Sequence, residues 1–380
     1  MAAAQTIRVN LAERSYDVEI GAGNLVDAGR FLVDRAKTTH VVLITDENVH
    51  KLHAMRAAES LGEQDIEVDV IVVDPGEQSK SPEAALSLWQ GLLDLGADRR
   101  SVVAAVGGGV VGDLAGFVAA TFARGLRFMQ VPTSLLAQVD SSVGGKVGIN
   151  LPEAKNIVGG FHQPIGVLVD IATLSTLPDR EYLAGLAEAV KYGAALDAEF
   201  FGFLEQNAAV IVERKEEVLV SVVARCCRLK AEVVERDERE ENGLRAVLNF
   251  GHTFGHAFEM ISPLPLGEGP GVRAASIRAP LLHGEAVAVG MICAARLAER
   301  LGRVDASYTD RLRALLQTFG LPVEPPKLDP QRVLDAMMHD KKVQDGRLRF
   351  VLPSRLGHVE LVEDVAPVEV QAAMEGNTRI

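Results

Sequence analysis

The sequence predicts an α/β amino-terminal domain on a parallel sheet, followed by a mainly α-helical carboxy-terminal domain. Three observations carry this. Short β-branched runs alternate with helix-compatible stretches through the first half, as in a sheet whose strands are joined by crossover helices. After Leu177-Pro178-Asp179 the runs stop, and Ala, Leu, Glu and Arg dominate to about Met338. At 380 residues the chain is also too long for one ordinary core, so two domains are expected, 1–178 and 179–380.

In chain order, 41–45 (VVLIT), 68–73 (VDVIVV), 101–106 (SVVAAV) and 167–169 (VLV) read as buried strands, with 128–132 (FMQVP) a weaker one. Unbroken apolar runs of this length suit strands covered on both faces. Pro82 to Leu95 and Val110 to Ala123 are helix-compatible. Asp179 can cap a helix beginning near Arg180. Ser262 to Pro280 holds four prolines and three glycines, so it reads as a loop. A strand pair is expected at 348–352 and 358–361. No internal repeat is evident.

Composition narrows the class. Hydrophobic residues make up 48% and charged residues 24%, which fits a soluble globular enzyme and not a disordered chain. The net charge of −13 repels nucleic acid and anionic membrane, so neither is an expected partner. An anionic substrate then needs local cations. Cys226, Cys227 and Cys293 have the spacing of neither a disulfide framework nor a zinc ribbon. With no charged-then-apolar leader pattern at the start, a cytoplasmic location is expected. The longest apolar stretch, Ser101 to Ala120, is broken by five glycines and Asp113, so it is no membrane span.

The densest chemical signal is Asn249-Phe250-Gly251-His252-Thr253-Phe254-Gly255-His256. Two imidazoles four residues apart share one helix face. With His283-Gly284-Glu285 downstream and Glu188-Ala189-Val190-Lys191 upstream, they suggest a divalent metal on N/O ligands. Spacing alone points to both His252 and His256 as ligands.

Gly107-Gly108-Gly109-Val110-Val111-Gly112 matches GxGxxG between a strand and a helix. Such glycines let backbone approach a phosphate at a helix N-terminus, and a tight turn would look the same. Asp46, the Gly76 to Lys80 turn and Thr133-Ser134 end other strands with polar groups. Together they suggest a binding crevice along one edge of a Rossmann-like sheet. Val139 to Asn150, leading to Lys155-Asn156, reads as a glycine- and lysine-rich loop that wraps an anion. Arg124, Lys230 and Arg245 can add positive charge.

These motifs allow a family comparison. The chain resembles 3-dehydroquinate synthases from Thr45-Asp46-Glu47-Asn48-Val49 to Asp340-Lys341-Lys342. The likeness rests on GGGVVGDLAGF (107–117), VPTSLLAQVDSSVGGKVGIN (131–150), AEAVKYG (187–193), LNFGHTFGHAFE (248–259) and LLHGEAVAVGM (281–291). The resemblance implies a phosphate-releasing carbon–oxygen lyase of the shikimate pathway. Its reaction turns 3-deoxy-D-arabino-heptulosonate 7-phosphate into 3-dehydroquinate by transient oxidation, β-elimination, reduction and aldol closure. It implies NAD and one divalent metal, Zn²⁺ or Co²⁺, with the metal on Glu188, His252 and His283. It puts NAD on Asp46, Glu77, Lys80, Gly108, Gly109, Val110, Asp113, Thr133, Ser134, Asp140, Lys146, Lys155, Thr173, Leu174 and Thr176. Substrate falls to His256, Lys146, Asn156, Lys230, Arg245, Asn249 and one of Lys341 or Lys342. Arg124 would reach the site of a neighbouring subunit in a homodimer. His256 thus passes from metal to substrate, against the spacing argument. The 262–280 stretch is longer than the family's link.

Two other functions fit the same parts. One is another sugar-phosphate cyclase, such as 2-deoxy-scyllo-inosose synthase. The other is a metal-dependent polyol dehydrogenase, which would release NADH.

Overall fold

The computed structural model describes residues 4–152, 154–261, 280–338 and 348–375. The expected loop at 262–280, all but Pro280, lies outside them, as do Lys341 and Lys342. Contacts divide the chain into two compact units: Met1–Gly185 with Glu213–Asn242, and Leu186–Val212 with Gly243–Ile380.

Among its described residues the first unit holds nine strands: β1 (Gln5–Val9), β2 (Tyr16–Gly21), β3 (His40–Asp46), β4 (Glu67–Val73), β5 (Val102–Gly107), β6 (Arg127–Pro132), β7 (Lys146–Leu151), β8 (Ala154–Phe161) and β9 (Gly166–Asp170). Seven form one sheet in the order β1-β2-β9-β6-β5-β3-β4. Every neighbouring pair is parallel except β1–β2. The chain runs from β3 outward to β4, then returns past β3 to β5 and continues the other way. That reversal between β3 and β5 leaves a crevice at the strands' carboxyl ends, where doubly wound sheets bind ligands.

Side-chain alternation explains the apolar runs. Val41, Leu43, Val102 and Ala104 pack under α1 (Ala28–Val33) and α3 (Met55–Gly62), the latter preceded by the short α2 (Glu47–Val49). Val42, Ile44, Val103 and Ala105 pack under α4 (Pro82–Asp94) and α5 (Gly109–Thr121). Strands covered on both faces need apolar residues at every position.

Two features depart from the sequence reading. β1 and β2 were not expected, and 146–161 is an antiparallel hairpin of β7 and β8 where a loop was expected beyond Lys146. Val147 and Ile149 anchor the hairpin in the core beside α5.

The units also differ from a single boundary near Pro178. The division falls inside α6 (Asp179–Leu196), and α8 (Glu216–Arg236) belongs to the first unit. Glu235 of α8 accepts from Asn10, and Arg228 donates to the Arg8 carbonyl.

In the second unit, α6 continues into α7 (Ala198–Val212). Beyond Gly243 come α9 (His252–Ile261), α10 (His283–Arg300), α11 (Ala306–Thr318) and α12 (Pro330–Met338). The β10 (Phe350–Arg355) and β11 (His358–Val362) pair and α13 (Pro367–Met374) complete it. β10 and β11 pair antiparallel, close to the expected strands. From Ala286 to Ala295 every residue of α10 is buried, as befits a helix apolar on all sides at the centre of its unit. Among the described residues no helix is long and apolar enough to cross a membrane.

Candidate active site

In the second unit, Glu188 lies mid-way along α6 and is fully buried. Its Oε1 stands 3.7 Å from Nε2 of His252 and 3.6 Å from Nε2 of His283. These are the first residues of α9 and α10. The three ligand atoms lie within 4.8 Å of one another. A tetrahedral ion with bonds of about 2.0–2.2 Å sets its ligand atoms roughly 3.4 Å apart, so the triad already has nearly the spacing a divalent cation requires.

The donor chemistry fits as well. Oε1 of Glu188 accepts no hydrogen bond, and the Lys191 ammonium is ion-paired with Oε2. A buried carboxylate oxygen with no donor is costly unless a cation meets it. Nδ1 of His252 lies 3.2 Å from the Phe250 carbonyl. A carbonyl only accepts, so Nδ1 carries the proton and Nε2 presents its lone pair to the site. Nδ1 of His283 lies 3.4 Å from Oε2 of Glu259. Burial opposes charge on His283, but the facing carboxylates of Glu188 and Glu259 outweigh it and push its pKa up to about 10. Both carboxylates thus draw positive charge to this point.

The two ligand-bearing helices meet through glycines. A Cβ on Gly290 of α10 would lie 2.1 Å from the Gly251 carbonyl oxygen, and Gly251 itself has φ +81°. Only backbone without side chains passes this closely, so the crossing that brings His252 to His283 depends on these residues.

His256, one turn beyond His252, is half-buried. Its ring meets His252 edge-on at 5.4 Å between centroids and lies 6.1 Å from His283. It does not join the Glu188 set; its ligand atoms group with Glu259 and His283. The helical HxxxH spacing therefore does not put both imidazoles on one ion. Arg245, buried, and Asn249, half-buried, occupy the turn Leu244–Asn249 just before α9. Sequence reasoning singled out neither Glu259 nor Lys191 as a site residue. Glu259 lies seven residues after His252 on the same helix face, and Lys191 three after Glu188, a periodicity that could have found both.

In the first unit Asp46, Glu77, Lys80, Gly108, Gly109, Thr133, Ser134, Thr173 and Leu174 stand at or after the carboxyl ends of β3, β4, β5, β6 and β9, whereas Lys146 and Lys155 lie on β7 and β8. Gly108 is the N-cap of α5, whose first residues are Gly109 and Val110. A Cβ on Gly108 would stand 3.4 Å from the Ser134 hydroxyl, and one on Gly109 3.1 Å from the Ser141 hydroxyl. This is a narrow, hydroxyl-lined approach to a helix N-terminus. Thr133 donates its backbone N–H to the Gly107 carbonyl at 2.9 Å. Asp46 caps α2, accepting from Val49 N–H at 3.0 Å.

Lys80 is buried and donates to Asp113 at 2.7 Å and to Asn156. Burial pushes the Asp113 carboxyl up, with Lys80 opposing. Glu77 accepts from Asn150 at 2.7 Å, and Asn150 accepts from the Asn156 N–H. The β4 turn, α5 and the hairpin are thus laced together. Lys230, also buried, donates to the Asp140 carbonyl at 2.7 Å and to its carboxylate. Lys146 is exposed and paired with Glu240. Lys155 and Arg124 are exposed. Arg124 and Asn156 have left-handed backbones, φ 68° and 52°, strain of a kind that gathers at functional sites. Thr173 and Leu174 are buried; the Thr173 hydroxyl donates to the Asp170 carbonyl and accepts from Gln138. Thr176 is exposed and bonded to His53 at 2.7 Å.

Comparison with known proteins divides the chain once, at 184/185, and leaves α8 with the carboxy-terminal part. A family model described as 3-dehydroquinate synthase N-terminal matches residues 70–184, and one described as 3-dehydroquinate synthase C-terminal matches 185–343. A 3-dehydroquinate synthase from Rhodopirellula baltica is 48% identical over 376 residues, 97% of this chain and 96% of its own. A crystal structure of 2-deoxy-scyllo-inosose synthase complexed with carbaglucose-6-phosphate, NAD⁺ and Co²⁺ superposes with a TM-score of 0.86 at 28% identity. It covers 98% of this chain and 100% of its own. The 2-epi-5-epi-valiolone synthase of Streptomyces hygroscopicus, with NAD⁺ and Zn²⁺ bound, gives 0.84 at 30% identity over 96% and 97%.

Proposed function

The chain belongs to the 3-dehydroquinate synthase family, and on that premise we propose how its residues divide the work. The reaction converts 3-deoxy-D-arabino-heptulosonate 7-phosphate into 3-dehydroquinate and phosphate, with NAD and a divalent metal, Zn²⁺ or Co²⁺, as cofactors. The observation that carries the assignment is one oxygen of a buried carboxylate facing two imidazole Nε2 atoms.

Glu188, His252 and His283 would hold the metal. Gly108, Gly109 and the start of α5 would take the dinucleotide phosphates, with Thr133 and Ser134 supplying hydroxyls. When bound, the metal would supply Lewis acidity towards a substrate hydroxyl, and NAD would supply reversible hydride acceptance.

The remaining steps fall to the chain's own groups. Lys230, buried and already bonded to Asp140, is a cation fixed in place before an anion arrives. Arg245 is buried too. With Lys146, Asn156 and Asn249 they would hold the phosphate and carboxylate, stabilise charge as phosphate leaves and keep one conformer for ring closure. His256, beside the triad and outside it, would carry a proton on an imidazole nitrogen to or from the departing phosphate. A homodimer is proposed as the working assembly, supported by Arg124, exposed on its strained turn and available to a neighbouring copy. A cytoplasmic location is also proposed, supported by three buried cysteines in the thiol form.

The test is phosphate release from the heptulosonate phosphate with trace NAD⁺. Chelator should abolish turnover and Zn²⁺ or Co²⁺ restore it. Steady NADH accumulation, or faster release from glucose 6-phosphate, would assign the chain to a different chemistry.

A further inference from the structure

The two imidazole ligands are oriented by different means. His252 is held by a backbone carbonyl two residues before it, so its orientation follows from the local fold. His283 is held by a side chain instead: its Nδ1 is met by the Glu259 carboxylate at 3.4 Å. Glu259 is largely buried, with a side chain 11% exposed. It lies near the end of α9, whose first residue is His252. One helix therefore supplies a ligand at its start and the partner of the other ligand two turns later.

The placement has a second aspect. Along the sequence Glu259 stands three residues before Ser262 and His283 three after Pro280. Their contact joins the two ends of the intervening connection. A connection can vary in length at small entropic cost if its ends remain fixed.

We propose that Glu259 is a positioning residue: it fixes the ring orientation and tautomer of His283, so that this ligand keeps its place whatever the length of the connection before it. Glu259 accepts the Nδ1 proton, Nε2 is left as the lone pair facing Glu188, and the negative charge raises the imidazole's strength as a donor. Outer partners of this kind typically govern metal affinity by 10- to 100-fold. The inference rests on the metal reading above and adds to it a residue outside the triad.

The experiment compares full-length wild type, Glu259→Gln, Glu259→Ala and His283→Ala by Zn²⁺ titration and by the visible spectrum of the Co²⁺ form. Glu259→Gln keeps the size and an acceptor oxygen but removes the charge. Its Zn²⁺ affinity should fall about 10-fold, that of Glu259→Ala towards 100-fold. The cobalt bands should shift in both, while metal-free melting temperatures stay at the wild-type value for Glu259→Gln. Wild-type affinity and an unchanged cobalt spectrum in both Glu259 variants would overturn the proposal. So would two Zn²⁺ per wild-type chain falling to one, since Glu259 would then be a ligand of a second ion formed with His256. If His283→Ala also binds Zn²⁺ like wild type, the metal reading itself fails. If only His283→Ala loses the ion, that reading stands and the role of Glu259 falls.

Discussion

At the scale of single residues, His252 and His256 show what spacing can and cannot settle. Four-residue spacing placed both on one face of α9, and they are there. It says nothing about which ring nitrogen is free, because that depends on the Phe250 carbonyl and on a carboxylate from another helix. His252→Ala should therefore lose the metal. His256→Ala should keep full metal content yet turn over roughly 10²- to 10⁴-fold more slowly, the usual range for a lost proton-transfer group. Metal analysis alongside the turnover number separates the two, and loss of metal in His256→Ala would put that residue back among the ligands. His53 and His162 permit a prediction about pH. Burial holds both below the ordinary value of 6.5. The unfolded chain then takes up more protons than the folded one as pH falls through about 6.5, so stability falls with it. The part of stability that these two carry should fall between pH 7.5 and pH 5.5, so the melting temperature of His162→Gln should change less unfavourably than that of wild type over this range; equal slopes for the two proteins would count against it.

At the scale of elements, the buried strands were the most legible, since a strand covered on both faces has no polar positions to blur its run. β1 and β2 were harder. Thr6-Ile7-Arg8-Val9 and Tyr16-Asp17-Val18-Glu19-Ile20 alternate, the pattern of strands covered on one face only, but each is short and polar at every second place. The β7–β8 hairpin was hidden because its glycines look like a loop. The α9–α10 crossing was not legible at all, because it depends on which two glycines face each other. Gly290→Ala tests it. Overpacking ordinarily costs about 1–3 kcal/mol, and here the added carbon would meet backbone, which cannot rotate away. Denaturant midpoint and Zn²⁺ affinity should fall together. A variant that loses stability but binds Zn²⁺ normally would show that the crossing does not set the ligand geometry.

At the scale of the whole molecule, the two-part plan was visible in the change of texture after Pro178. The true membership was not, because α8 has the composition of the helices around it and its place in the first unit depends on partners such as Asn10, Gln138 and Asp140 more than 80 residues away. The acidic surface was a composition-level expectation with a functional corollary. Lys80 and Lys230 are buried against carboxylates, so their charge is partly cancelled until a stronger anion arrives. Raising ionic strength should weaken substrate binding only modestly, since buried charges are screened less than exposed ones. A steep rise in KM with salt would instead point to exposed Lys146 and Lys155.

Glu188, His252 and His283 stand 64 and 31 residues apart along the chain, so an ion held by all three ties two long stretches into rings. A ligand at 100 times its dissociation constant adds about 2.7 kcal/mol to the folded state. The second unit should therefore resist proteolytic digestion in proportion to zinc or cobalt supply, and a cell short of these metals would lose the enzyme through turnover as well as through inactivity.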